Sequence, residues 1–254
     1  MSRLKSKVAL ITGGAQGIGE ACVRQFVAEG ARVLLGDVQA EKGAALAAEL
    51  GESVLFGELD VTSKDQFATA IAMAVQAWGK LDILVNNAAV VVPAAPLEQT
   101  TGEEFDLLMS VNVQGVFLGC KLAHPHLQQS RGCVVNIASM AGVTGQADHA
   151  VYGATKGAVN ALTKCAAIDW GTDGIRVNSV CPACVLTDAT YQWSAQQPDS
   201  KAALAQLDKI HLLNRSSEAV EIATAVAFLA SDEASFITGC NLPVSGGSEC
   251  GYNM

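Results

Sequence analysis

No basic stretch stands out in this sequence, and cations are the minority charge overall. Lys and Arg total 16 against 25 Asp and Glu, for a net charge of −9 and a pI of about 4.9. A surface of that sign repels phosphate backbones, so neither nucleic acid nor an anionic membrane is an expected partner. No run of about 18 uninterrupted apolar residues is present, and no membrane span is predicted. The apolar run near the start, Val8 to Ile11, is short and breaks at Gly13-Gly14, which is unlike a signal peptide. A disulfide framework is missing too. The eight cysteines are scattered through apolar or mixed contexts, as expected of buried thiols in a reducing cytoplasm. Linker-like boundaries, internal repeats and low-complexity tracts are absent, so residues 1–254 read as one domain.

What the chain does have is apolar sequence in an alternating order. Half of its 254 residues are hydrophobic and 16% are charged, enough for a sizeable core. Short β-branched runs at 7–12, 32–37, 53–60, 82–87, 133–139, 175–181 and 241–244 read as strands. Helical patterns occupy about 18–29, 40–50, 101–121, 150–170 and 217–230, with another running to Trp78 from a cap at Thr62 or Ser63. Residues 183–216 form a long connection with local helical pieces. Near-continuous apolar strands separated by helices predict a parallel sheet covered on both faces. Right-handed crossovers make it a doubly wound, Rossmann-like α/β fold of about seven strands. Such sheets bind ligands at the carboxyl ends of their strands.

The loop at the first of those ends is "TGGAQGIG", Thr12 to Gly19. Its glycines let the backbone turn sharply and approach a ligand, and the helix start offers N–H groups to a phosphate. Gly13, Gln16, Gly17, Ile18 and Gly19 are therefore candidate cofactor contacts. An ordinary glycine turn is the bland alternative. Asp37, at the end of the second strand, argues against it, because an acid at that distance can accept bonds from ribose hydroxyls. It would repel a 2′-phosphate, and no Lys or Arg lies in 13–19 or directly after Asp37. The expected cofactor is NAD.

Tyr152 and Lys156, in "YGATK", stand one helical turn apart and on one face. A phenol with a pKa of roughly 10 is a poor base at neutral pH, and a neighbouring ammonium favours its ionised form. Alone, such a pair is mostly a surface contact. Here Ser139 follows a predicted strand and Tyr152 opens a predicted helix, so both can face one sheet edge. A base that takes the O–H proton and a second donor on that oxygen are what alcohol oxidation requires.

With these motifs in order, together with Asp60-Val61, "NNAA" (86–89), Asn112 and "NSVCPACVLT" (178–187), the sequence resembles the short-chain dehydrogenase/reductase family almost end to end. The resemblance implies roles. Tyr152 is the acid/base, Lys156 binds the nicotinamide ribose and lowers the Tyr152 pKa, and Ser139 bonds the substrate oxygen. Asn112 holds a water in a proton relay. Asp60 and Val61 contact adenine, Asn87 and Ala88 line the cleft, and Pro182, Val185 and Thr187 belong to the loop that holds the carboxamide. It also implies a homotetramer paired through the helix at 150–170, with the tail "SECGYNM" (248–254) near a neighbouring subunit. Two positions depart from the family. Ala89 and Ala183 stand where it usually has glycine, and each would be strained if it needed φ > 0.

Other features have plainer readings. Cys181-Pro-Ala-Cys184 invites zinc or thiol chemistry, but no second Cys or His pair stands near it. His124-Pro125-His126 reads as a solvated turn ending a helix. Asp148-His149 divides between surface and substrate contact. No metal is expected. The predicted activity is interconversion of a secondary alcohol and its ketone with NAD, in the cytoplasm. The predicted substrate is a neutral hydrophobic cyclic, aryl or steroid-like alcohol. Apolar residues from Val90 to Pro93, Met140, Val143, Tyr191, Trp193, Leu212 and Leu213 should bound the pocket. A sugar or 3-oxoacyl thioester is the alternative within the family, and a non-catalytic NAD-binding protein the alternative outside it. A nucleotide-sugar epimerase would need a larger substrate region than 254 residues leave.

Overall fold

The computed structural model describes residues 2–250. Of the tail, 251–254 lie outside the described residues. The strands are β1 (Val8–Thr12), β2 (Arg32–Asp37), β3 (Val54–Glu58), β4 (Ile83–Asn86), β5 (Cys133–Ile137), β6 (Arg176–Pro182), β7 (Val185–Leu186), β8 (Ser217–Glu218) and β9 (Asn241–Val244). Seven form one parallel sheet in the order β3-β2-β1-β4-β5-β6-β9, and β7 pairs with β8 in a small parallel ribbon. The order reverses between β1 and β4, which opens a crevice at their carboxyl ends.

Alternation within the strands explains the two-sided core. Ala9, Ile11, Val33, Leu35, Ile83, Val85 and Val135 pack into one cluster. Their neighbours Val8, Leu10, Leu34, Leu84, Val134 and Val177 pack into the other. The first face is covered by α1 (Gly17–Ala28), α2 (Ala40–Leu50) and a later helix, Ala219–Ala230, that packs on α1. The second is covered by α3 (Lys64–Trp78), α5 (Gly115–Ser130) and α6 (Ala150–Trp170), and α4 (Gly102–Met109) packs against α6. Pro243 is tolerated in β9 because that strand is an edge.

Caps set the helix ends. Ser63 Oγ accepts from Gln66 N, and Gly79 closes α3 in the left-handed region with φ +80°. Thr101 and Glu104 form a capping box at the start of α4. The connection over 183–216 contains α7 (Asp188–Ala195) and α8 (Ser200–Asp208), and α9 (Ala219–Ala230) follows it.

One helix differs from expectation. The pattern at 101–121 continues to residue 130, through a π-helical segment at Ser110–Gln114 and past Pro125. His124-Pro125-His126 therefore lies inside α5. His124 Nε2 bonds Asp173 Oδ2 at 3.0 Å, and its ring meets Trp170 with centroids 4.9 Å apart. Ala123 and Leu127, both fully buried, hold the turn against the sheet, and tertiary packing outweighs the proline. The joined helix Gly102–Ser130 has the length and hydropathy of a membrane span by composition alone. Its Val116, Cys120, Ala123 and Leu127 are committed to the core instead.

Candidate active site

Thr12 ends β1 and anchors the cleft. Its buried hydroxyl accepts the backbone N–H groups of Asn87 at 3.0 Å and Ala88 at 3.1 Å. Asn87 Nδ2 returns bonds to Thr12 O and Gly13 O, each 2.9 Å. The carboxyl ends of β1 and β4 are thus fastened together. Gly13 turns with φ +63°, where a Cβ would lie 2.8 Å from Ala88 Cα. A Cβ on Gly19 would lie 1.9 Å from Gly13 O, so no side chain fits there. Gln16 provides no side-chain cap to α1, leaving the first N–H groups free for an anion.

Asp37 is 5% exposed. Its Oδ2 accepts Ala15 N and its Oδ1 accepts Gln39 N, both at 2.9 Å. These bonds fix the carboxylate at the rim and join β2 to the glycine loop. Sequence reasoning found no cation here, but Lys42 reaches the loop and bonds Gln16 Oε1 at 2.9 Å. Asp60 is turned on itself, its Oδ1 accepting Thr62 N at 2.9 Å and Thr62 Oγ1 at 2.8 Å.

A cleft of about 490 Å³ runs along this edge. Gly13, Gln16, Gly17, Ile18, Gly19, Asp37, Asp60, Val61, Asn87, Ala88 and Thr187 all line it, as do the unpredicted Val38, Gln39, Leu59 and Val111. Pro182, Val185, Tyr152 and Lys156 do not line it, and neither do Asn112 and Ser139. Pro182 and Val185 are both buried, and Val185 O accepts Thr190 Oγ1 at 2.7 Å. Ala89 and Ala183 both have φ outside the positive region, so the strain feared at these two positions is absent.

The π segment turns Asn112 fully inward, the kind of irregularity that marks functional sites. Val90 N donates to Asn112 Oδ1 at 2.8 Å, and Asn112 Nδ2 donates to Val90 O at 2.9 Å. Asn112 Nδ2 also donates to Thr155 Oγ1 at 3.3 Å, and that hydroxyl donates to Tyr152 O at 2.7 Å. Asn112 therefore links the cleft wall to the first turn of α6. Thr155 and Thr12, which sequence reasoning missed, act through contacts between distant segments that no local spacing announces.

Ser139 follows β5, and its Oγ accepts Ala141 N at 3.1 Å. Burial raises the Tyr152 phenol above its ordinary value, while its hydrogen bond with Ser139 pulls the other way. Lys156 is 3% exposed, and its Nζ donates to Ile137 O at 2.8 Å. The ammonium stands 5.7 Å from the Tyr152 ring centroid. Burial lowers its own pKa to about 8. Burial is the largest influence on both groups, and the ammonium is engaged by a backbone carbonyl.

The neighbouring residues sort themselves by burial. Met140 belongs to the core, while Val143, Tyr191, Trp193, Leu212 and Leu213 are exposed. His149 precedes α6, and its ring meets Tyr152 edge-on with centroids 6.3 Å apart. Asp148 adopts φ +59°, and its carbonyl accepts Ala95 N at 2.9 Å. Burial raises the thiols of Cys181 and Cys184, opposite to the activated thiolate of redox catalysis.

Residues 13–249 match the family model described as enoyl-(acyl carrier protein) reductase. L-fucose dehydrogenase of Oryctolagus cuniculus is 41% identical over 98% of this chain and 87% of its own. The 3-alpha-(or 20-beta)-hydroxysteroid dehydrogenase of Mycobacterium bovis is 41% identical over 98% of this chain and 92% of its own. Among solved structures, 3-ketoacyl-(acyl-carrier-protein) reductase from Brucella melitensis complexed with NADH has a TM-score of 0.88 at 32% identity, covering 96% of this chain and 99% of that one. The substrates in these names differ, whereas the architecture and the class of reaction agree. With the match running over nearly the whole length, the chain belongs to the short-chain dehydrogenase/reductase family of oxidoreductases.

Proposed function

We propose that the chain is an NAD-dependent dehydrogenase that interconverts a secondary alcohol and its ketone by hydride transfer, with Tyr152 as the acid/base. The observation that carries this reading is that Ser139, Tyr152 and Lys156 stand together and that Thr155 and Asn112 tie the Tyr152 turn to Val90 in the wall of a glycine-lined cleft whose rim holds Asp37. A dinucleotide fits the residues present. Gly13 and Gly19 leave bare backbone for phosphates, with Gln16, Gly17 and Ile18 completing the loop. Asp37 retains lone pairs for ribose hydroxyls. Asp60 and Val61 meet the adenine, Asn87 and Ala88 line the cleft, and Thr187 serves the nicotinamide end, supported by Pro182 and Val185. Lys42 is exposed, so solvent screens it and the fixed Asp37 carboxylate dominates cofactor choice.

NAD, when bound, accepts the hydride. The chain's own residues handle the proton. Ser139 donates to the substrate oxygen and holds it at the phenol. Tyr152 takes the hydroxyl proton in oxidation and returns it in reduction. Lys156 binds the nicotinamide ribose and supplies the positive charge that favours phenolate. Asn112 holds a water through which the proton leaves. The molecule acts as one domain and as a cytoplasmic homotetramer, with residues 183–216 covering the substrate.

The substrate is a neutral hydrophobic cyclic, aryl or steroid-like alcohol. Exposed Val91, Tyr191, Trp193 and Leu213 near the cleft and the covering connection support this, as does the hydroxysteroid dehydrogenase relative. A sugar is the second reading, favoured by the polar His149 beside Tyr152 and by the L-fucose dehydrogenase relative. An absorbance assay at 340 nm decides. Steroid and aryl alcohols, L-fucose, short diols and 3-oxoacyl thioesters are compared by kcat/KM with NAD and NADP. The highest value on a hydrophobic ring alcohol with NAD is expected. A highest value on sugar or thioester overturns the substrate, and turnover of none overturns catalysis.

A further inference from the structure

His211 lies where the covering connection returns to the sheet, and it is 2% exposed. Its Nε2 accepts the backbone N–H of Cys184 at 3.3 Å. A neutral imidazole accepting at Nε2 carries its proton on Nδ1, and that nitrogen has no partner. A leucine would fill this space without burying an unpartnered donor, so the bond to Cys184 is what the imidazole contributes. The chain also makes room for it. Gly246 has φ +59°, and a Cβ there would lie 3.1 Å from His211 Cβ.

Cys184 opens the segment that carries Val185 and Thr187. Its carbonyl accepts Ser217 N at 3.1 Å and Ser217 Oγ at 3.0 Å. Directly after, β7 pairs with β8 through Val185 and Ser217. The polar groups of the Cys184 backbone are therefore held from both sides by residues at the far end of the covering connection. Thr187, three residues on, lines the cofactor cleft.

We propose that His211 is a positioning residue: by accepting the Cys184 N–H it locks segment 184–187 to the end of the covering connection and so fixes Thr187 at the cleft. This rests on reading 182–187 as the nicotinamide-end loop. Three variants test it. His211→Leu keeps the bulk and removes the acceptor, His211→Gln restores an acceptor, and Thr187→Ala probes the loop itself. Calorimetric titration with NAD should show about tenfold weaker binding for H211L and T187A, and binding near the parent's for H211Q. Amide exchange in a peptide covering 183–187 should quicken in H211L alone. Unchanged NAD binding and exchange in H211L, or equal losses in H211L and H211Q, would overturn the proposal. If H211L speeds exchange while T187A and H211L both bind NAD like the parent, the lock stands and the loop's cofactor role fails. Should H211L not fold, His211→Asn, whose oxygen stops short of Cys184, takes its place.

Discussion

Lys156 is a buried cation without a carboxylate beside it, and that choice works against folding. Its pKa falls from 10.5 to about 8 because burial disfavours the charge. Between those pH values the unfolded chain holds a proton that the folded chain has released, so stability rises with pH across about 8 to 10.5. Replacing Lys156 by Met should therefore stabilise the protein at pH 7, by on the order of 2 kcal/mol, and lose that gain towards pH 10.5. Thermal melts at both pH values check this, and a lower Tm at pH 7 would contradict it. Activity should collapse in the same variant. Tyr152→Phe should lower turnover by roughly 10²-fold or more with NAD binding retained. In the parent, oxidation should rise with pH, because the reactive phenolate forms above the ordinary tyrosine range. Asp37→Ala should narrow the preference for NAD over NADP, measured as the ratio of kcat/KM values. Sequence spacing alone put Tyr152 and Lys156 on one face. That Lys156 is held by Ile137 O, and that burial governs both groups, required the fold.

Strands and the helices between them follow from period and apolar content, because a strand buried on both faces has little freedom to be polar. Their ends follow from local chemistry, as at Ser63 and Gly79. The exceptions have one cause, packing between elements distant in sequence. Pro125 stays helical because Ala123 and Leu127 are buried against the sheet. The π segment at Ser110–Gln114 puts Asn112 where Val90 and Thr155 can bond it, and no residue preference in 110–114 announces that. The glycine loop makes the sharpest prediction at this scale. Gly19→Ala places a methyl 1.9 Å from Gly13 O. The β1–α1 turn must then shift, and NAD affinity should fall by about tenfold or more. Titration calorimetry measures it, and parental affinity would show that the turn is not a binding element.

At the scale of the molecule, the α5 and α6 surface bears on assembly. Between α5 and α6 lies a hollow of about 400 Å³ bordered by Phe117, Cys165 and Trp170. Phe117 is 47% exposed and Ile168, on the same helix as Cys165, is 79% exposed. Large apolar side chains exposed on neighbouring helices suit an interface, and closed symmetry is the usual way to cover one. Light scattering should give a tetramer for the parent and a smaller species for Ile168→Asp. A monomeric parent at micromolar concentration would refute the assembly. The sequence by itself determined the order of strands and helices, the glycine loop, Asp37 and the Ser139, Tyr152 and Lys156 set, because each rests on short-range period, spacing or backbone chemistry. Tertiary structure alone decided that Thr12 fastens β1 to β4, that Asn112 joins Val90 to Thr155, that Val185 turns into the core, and that His211 meets Cys184. The bonds among them join residues from 22 to 76 positions apart, and only the packing of the sheet brings them within bonding distance.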